Sequence, residues 1–329
     1  AASCCRIVRA RLSGTPDAPM GVGRVTGDDL AIGIADEGLR LTGGKLIADF
    51  DVNQLRIDTL SFISPSRVAP RDRRVNYAAL TKTPGQLTAS GAMSLKDGDG
   101  QIRFEADRLP IFQRADRWLA VSGTGKIETR WDAPSLEASF RADGGYLEFA
   151  KSPAPSLSDD VVILGDEPSV SNRALKARVE VDLGEQLYLS ALGLDTRLAG
   201  KLLLQAKAGD ALRATGTVKT VGGSFEGYGQ KLDITRGQVN FIGPLDNPGL
   251  DVLAVRSGLE VEAGVSITGT VRRPRIQLVS TPNVPDAEKL GWIVLGRKPD
   301  DSGGADLALL LPAAQALLGG PGGGVTQEL

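Results

Sequence analysis

The feature that most constrains this fold is a strict two-residue alternation. Over residues 259–271, Leu259, Val261, Ala263, Val265, Ile267, Gly269 and Val271 alternate with Glu260, Glu262, Gly264, Ser266, Thr268 and Thr270. A period of two sends the two sets to opposite faces of a β-strand, one apolar and one wet. Strands usually run about 5–6 residues, so this run predicts a wide sheet or a bend at Ala263-Gly264. The same alternation recurs upstream in Leu30, Ile32 and Ile34, in Leu46, Ala48 and Phe50, and in Ala177, Val179 and Val181. Gly27-Asp28-Asp29, Asp36-Glu37-Gly38 and Gly43-Gly44 separate the early runs as turn signals, which predicts a meander.

The chain has 329 residues, room for two ordinary domains or one large β-structure. Glycine is abundant (41) and aromatic residues are few (5%), as expected for many strands joined by turns. Ser90-Gly91, Ser122-Gly123, Ala199-Gly200, Thr215-Gly216 and Thr268-Gly269 repeat one form, a small residue before a strand glycine. Such glycines mark bends or bulges, and repeated bends curl a sheet into a trough.

The pattern divides the chain into two β segments, residues 1–150 and residues 174–280. Between them, residues 151–173 lose the alternation and carry Pro153, Pro155 and Pro168, as a surface loop or hinge would. Residues 64–79, rich in arginine and broken by Pro65 and Pro70, read as a loop or insertion. Residues 281–329 read as helical. Pro285 opens a segment with Asp286 and Glu288 in its first turn, Leu290, Ile293 and Val294 form the apolar stripe, and Gly296 closes it. A second helix, apolar nearly all round, is expected over residues 306–318.

Catalytic and cofactor motifs are weak. There is no histidine, which removes the commonest general base and metal ligand. The two cysteines, Cys4 and Cys5, are adjacent and cannot cross-link distant segments. Gly123-Thr124-Gly125-Lys126 lacks the helix and the Ser or Thr that a phosphate loop needs. Asp97-Gly98-Asp99-Gly100 would place Leu95 and Ala106 at calcium-ligand positions, so a hairpin turn is the better account. Residues 222–229 are glycine-rich without a following helix, and Glu260 and Glu262 lie on a wet strand face. No cofactor and no enzymatic activity are expected. The formal net charge of −2 offers no argument for nucleic-acid binding. No run of about 18 apolar residues spans a bilayer. Arg272, Arg273 and Arg275 around Pro274 are candidates for contact with a lipid headgroup or an acidic partner.

The apolar stripe permits either a closed sandwich core or an open groove. Amphipathic helix is scarce before Pro285 and aromatics are few, which makes a curled sheet holding something other than itself credible.

Residues 227–237 (GYGQKLDITRG), residues 241–248 (FIGPLDNP), residues 261–274 and residues 290–297 (LGWIVLGR) resemble the C-terminal domain of the TamB family, translocation and assembly module subunits. The resemblance implies relatives of AsmA-like and bridge-type lipid-transfer proteins. It implies a mainly β fold: an elongated, curled, taco-like, largely antiparallel sheet around an apolar groove, with short helices near the C-terminus. It also implies a Gram-negative periplasmic protein, anchored in the inner membrane through an N-terminal helix and meeting an outer-membrane β-barrel partner (TamA-like) at its C-terminal end. The anchor and the final strands are expected outside this chain. The implied function is phospholipid traffic to the outer membrane, or assembly of outer-membrane β-barrel proteins and autotransporters. On this reading Val239, Phe241, Val261, Val265, Ile267, Val271, Ile276 and Leu278 line a groove for phospholipid acyl chains. The facing of residues 252–255 stays open. On composition alone, a secreted structural β-protein with a closed core is a further alternative.

Overall fold

The computed structural model describes residues 5–15, 18–149, 176–191, 193–207, 210–227, 230–299 and 310. The expected hinge at 151–173 and, apart from Leu310, the expected helix at 306–318 lie outside the described residues. The strands in chain order are β1 (Cys5–Thr15), β2 (Ala18–Ile34), β3 (Leu39–Phe50), β4 (Gln54–Ser64), β5 (Gly85–Ser94), β6 (Gly100–Gln113), β7 (Arg117–Thr129) and β8 (Ser135–Phe149). They continue as β9 (Lys176–Asp182), β10 (Leu187–Ala191), β11 (Leu194–Ala206), β12 (Arg213–Gly227), β13 (Gln230–Pro244), β14 (Gly249–Arg256), β15 (Glu262–Thr270) and β16 (Arg273–Thr281). Two short helices, α1 (Tyr77–Leu80) and α2 (Asp286–Val294), complete the described elements.

The protein is therefore mainly β, as its alternation predicts. All sixteen strands belong to one sheet, ordered along the chain except that β9 pairs with β8 and β11 off the main path. Pairing is largely antiparallel, with β9 parallel to β8. Of the early turn signals, Asp36-Glu37-Gly38 joins β2 to β3, but Gly27-Asp28-Asp29 and Gly43-Gly44 lie inside β2 and β3 as bulges, because the positive φ of Asp29 and Gly43 shifts the register without ending the strand. At the β5–β6 hairpin Gly98 has φ +78°, and Asp97 Oδ1 accepts from the Asp99 amide at 3.1 Å. The long run at 259–271 is shorter as a strand than its alternation predicts, because β15 begins only at Glu262. Gly258 at φ +81° turns the chain, and its amide donates to Glu262 Oε1 at 3.2 Å. The residues expected to form a loop at 64–79 do so, with α1 at their end.

Packing divides the chain into two compact units, Ala1–Tyr188 with Lys201–Arg213, and Leu189–Gly200 with Ala214–Leu329. In the first unit the sheet curls. The Gln113 amide at the end of β6 donates to Glu37 O in the β2–β3 turn at 3.0 Å, although β4 and β5 lie between β3 and β6. Fully buried Ser64 reinforces this closure, donating to Arg40 O at 2.8 Å and accepting from Gln113 Nε2 at 3.2 Å. Leu41, Phe62, Ala106 and Leu109 form the core there. The loop before α1 builds a second core with Val75, Trp118, Ala120 and Tyr146. Trp118 is 0% exposed; its indole donates to Ser66 Oγ at 3.2 Å, and Tyr77 meets it edge-on with centroids 5.5 Å apart.

In the second unit the core is Leu232, Ala254, Val261, Ala263, Val265, Trp292 and Ile293. Strands β13 to β15 supply its floor and α2 its cover.

Candidate functional site

Strand register assembles the candidate site from residues far apart in sequence. In the first unit Gly27, Leu46, Leu60, Ala89, Phe104, Gly125, Ala138, Val179 and Leu204 stand opposite one another, strand after strand, in one row. A parallel row runs Ile57, Gly91, Ile102, Ile127, Leu136 and Ala177. Another runs Phe62, Leu87, Ala106, Gly123, Phe140 and Val181. None of these positions is polar. Side chains two apart on a strand share a face, so the rows make one continuous apolar surface. Phe104 and Phe140 stack across it at 6.2 Å, and a Cβ at Gly125 would overlap the Phe104 ring, so glycine there leaves room for the aromatic.

One end of this surface is closed, since Phe62 and Ala106 are buried in the core with Leu41 and Leu109, and the rest is half open. Leu46, Leu60, Phe104, Ile102, Ile127, Leu136 and Val179 are all half-buried. The opposite face is charged. Arg103, Lys126, Glu137 and Arg178 stand opposite one another there, and Lys126 Nζ lies 3.0 Å from Glu137 and 3.3 Å from Glu128. Those carboxylates raise the Lys126 ammonium above its ordinary range, chiefly by hydrogen bonding. Nearer the chain start, Arg24 forks onto Asp49 with two 2.7 Å hydrogen bonds and holds its carboxyl down at about 2. An open trough of about 740 Å³ crosses β4 to β9; its lining is mostly polar, with Asp58, Arg103, Glu105, Lys126, Glu137 and Arg178 flanking the strand positions of Leu60, Ala89, Phe104 and Ala138.

In the second unit, strand geometry places six of the eight residues read from the sequence on one face. Val265 pairs with Ala254 and Leu278, Ile267 with Val252 and Ile276, and Val239 with Leu250, which in turn pairs with Gly269. Phe241 follows by the period of two within β13, whereas Val261 precedes β15 and joins the same core by packing, and Val271 lies in the turn after β15. The open question over residues 252–255 is thereby answered: Val252 and Ala254 share this face, while Leu253 and Val255 take the other. The eight differ in cover. Val261 and Val265 are buried beneath α2; Ile267, Ile276 and Leu278 are half-buried against the same core. Val239 and Phe241 are half-buried, and Val271 is 49% exposed in the turn after β15. The three arginines are exposed. Arg272 pairs with Asp246 and its amide donates to Asn247 Oδ1 at 3.0 Å, while Arg273 and Arg275 stand opposite Thr270 and Thr268, on the face away from Val265.

Two residues that the sequence reading passed over matter most here. Trp292, buried on α2, lies inside the LGWIVLGR segment but off the stripe assigned from spacing. Arg256 stands opposite Ala263, so it ends the apolar series Leu250, Val252, Ala254 with a cation. Its Nη1 donates to Ile293 O at 2.8 Å, which caps the helix C-terminus. The signal was visible as the one charged residue in phase with that series.

Among the described residues no group of His, Cys, Asp or Glu is placed to hold a metal ion. No helix among them is long and apolar enough to cross a membrane, which says nothing of crossing by strands.

The fold and site define a class: a mainly β protein whose single wide sheet presents an extended apolar face. Within that class, the family described as the TamB C-terminal domain matches residues 75–329, and the chain belongs to this family. It is also similar to the translocation and assembly module subunit TamB of Haemophilus influenzae, 28% identical over 138 residues. That match covers 40% of this chain and 11% of the relative, so the chain spans only a small part of that protein's length.

Proposed function

We propose that this chain is part of a periplasmic conduit that carries phospholipid between the inner and outer membranes and so serves outer-membrane biogenesis. Family membership supports the coarser part of this reading, a role in translocation and assembly at the outer membrane. The observation that carries the finer part is the apolar surface of the first unit, unbroken by polar positions in its rows across β4 to β9 and half open around Ile102, Phe104 and Ile127. Acyl chains leaving water for such a surface gain about 0.8 kcal/mol per methylene. A surface without polar interruptions has no deep trap, so a chain slides along it while its headgroup stays in water. In the second unit Val239, Phe241, Ile267, Val271, Ile276 and Leu278 offer the same chemistry, with Val261 and Val265 beneath α2. Arg272, Arg273 and Arg275 are proposed contacts for headgroups or an acidic partner. The inner-membrane anchor and the β-barrel partner belong to the longer protein in this proposal. No step in it requires a catalytic residue.

Mass spectrometry of lipid extracted from gently purified protein tests the reading. Phospholipid is expected in the wild type and is expected to fall at least about tenfold in Phe104→Asp and Ile127→Asp, since a carboxylate on an apolar path carries a desolvation cost well above 1.4 kcal/mol. Folded wild-type protein that carries no phospholipid would sink it.

A second reading rests on the sheet edges. β1 and β16 end the strand order, each with a neighbour on one side only among the described strands. Such an edge can template a strand of an outer-membrane β-barrel precursor. Photocrosslinks from β16 to unfolded barrel protein, with none to lipid from Phe104, would favour this scaffold role over the conduit.

A further inference from the structure

Helix α2 occupies the apolar face of the second unit as an amphiphile would. Its side chains Trp292 and Ile293 are buried on that face, in one core with Val261, Ala263 and Val265. Its C-terminal carbonyls, the negative end of the helix dipole, rest on a cation. Arg256 Nη1 lies 2.8 Å from Ile293 O and 3.5 Å from Trp292 O. The chain makes room for this contact. Gly296, at φ +75°, sits so close to Arg256 that a Cβ there would come within 3.1 Å of the guanidinium. An apolar body on an apolar face, with partial negative charge on an adjoining arginine, is also the description of a bound phospholipid: acyl chain on the face, phosphate on Arg256.

The helix is suited to leaving. It has nine residues and no side-chain hydrogen bond at its N-terminal cap. A helix that short is marginal on its own and depends on docking. Among the described residues, the polar ties from it to the sheet are the Arg256 contacts and a 3.4 Å hydrogen bond from Lys289 Nζ to Leu278 O.

We propose that α2 is a displaceable lid that competes with phospholipid for this face, Arg256 exchanging the helix carbonyls for the headgroup phosphate. The proposal rests on the conduit reading and adds a gate to it. With α2 docked, the part of the second unit's face around Val261, Ala263 and Val265 is closed to acyl chains; with lipid bound there, α2 is released.

Hydrogen exchange on the whole chain, read at residues 286–294 during titration with fluorescent phosphatidylglycerol, tests it. Exchange of the α2 amides is expected to accelerate about tenfold or more at saturation, with a midpoint equal to that of probe binding. Trp292→Ala is expected to bind more probe. Arg256→Gln, which keeps the apolar contacts, is expected to lose roughly tenfold of the preference for phosphatidylglycerol over an uncharged diacylglycerol probe, the size of a lost charge-assisted hydrogen bond. This second variant and the wild-type exchange decide the matter even if Trp292→Ala fails to fold. Probe that crosslinks at Phe104 while the α2 amides stay protected would overturn the lid and leave the conduit standing. Absence of probe from both Phe104 and the second unit's face would overturn both.

Discussion

The two units treat the same kind of surface in opposite ways. In the first, an apolar sheet face many strands wide is left half-buried around Phe104, Ile102 and Ile127. In the second, the corresponding face around Val261, Ala263 and Val265 is closed by α2, and Ala263 is 0% exposed. Strand alternation alone does not distinguish them; both read as apolar against polar with a period of two. The difference comes from whether another element is delivered to the face. Residues 282–285 lead directly from β16 back over the sheet, so α2 lands on the strands that precede it. In the first unit α1 and the loop before it instead cover Trp118, Ala120 and Tyr146. Those residues lie beyond the bulge that separates Ala120 from Val121 in the β7–β8 register, on the face opposite Phe104.

The largest expected effect sets the two faces directly against each other. Ala263→Arg would force a guanidinium beneath α2 and is expected to destabilise the second unit by about 3–5 kcal/mol or to expel the helix. Ala89→Arg, on the open face, is expected to cost less than about 1 kcal/mol because its head can reach water. Equal losses in urea denaturation would break the distinction. Next comes a comparison inside the first unit. Trp118→Ala, under the α1 loop, is expected to cost about 3–5 kcal/mol. Phe104→Ala, half-buried on the open surface, is expected to cost about 1–2 kcal/mol. A Phe104 variant as damaging as the Trp118 one would mean that the surface is a closed core.

The smallest effect is a pH dependence. Burial raises the Asp143 carboxyl above its ordinary range, and nearby Asp107 adds to this, while the hydrogen bond from Ser122 Oγ at 2.7 Å opposes it. The folded state therefore holds the proton more tightly than the unfolded chain. As pH rises through the carboxylate range the unfolded chain ionises first, and the folded state loses stability relative to it. Asp143→Asn is expected to remove that loss. Its denaturation midpoint should match wild type at low pH and exceed it at neutral pH. A wild-type advantage at neutral pH would show that the Ser122 and arginine contacts outweigh the desolvation.

Much of the fold was legible. The β class, the Asp97-Gly98 hairpin and the start and stop of α2 at Pro285 and Gly296 all follow from short-range chemistry, which neighbouring residues carry in full. Six of the eight residues read as groove lining, those within β13, β15 and β16, were legible as one face because parity along a strand is a local property. Their division into covered and open positions was not, because cover depends on where α2 docks. Trp292 was missed for the same reason: helical spacing identifies a stripe, but a large aromatic can be buried beside it when the floor beneath is as small as Ala254 and Ala263. The three rows of the first unit were illegible as rows, since bulges such as those between Ile57 and Leu60 and between Ala106 and Leu109 shift the register by amounts that no single strand reveals.

By itself, then, the sequence determined that this chain forms strands, which side chains share a face on each, and which family it belongs to. Only the tertiary structure decided the register that joins Leu46 to Leu204 in one apolar row, the curl that brings Gln113 to Glu37, and the helix laid over Val265. The physical reason is distance. Alternation and turn chemistry act over a few residues, whereas pairing and cover bring together groups dozens of positions apart, and their free energy is set by what remains exposed to water once every strand has found its neighbour.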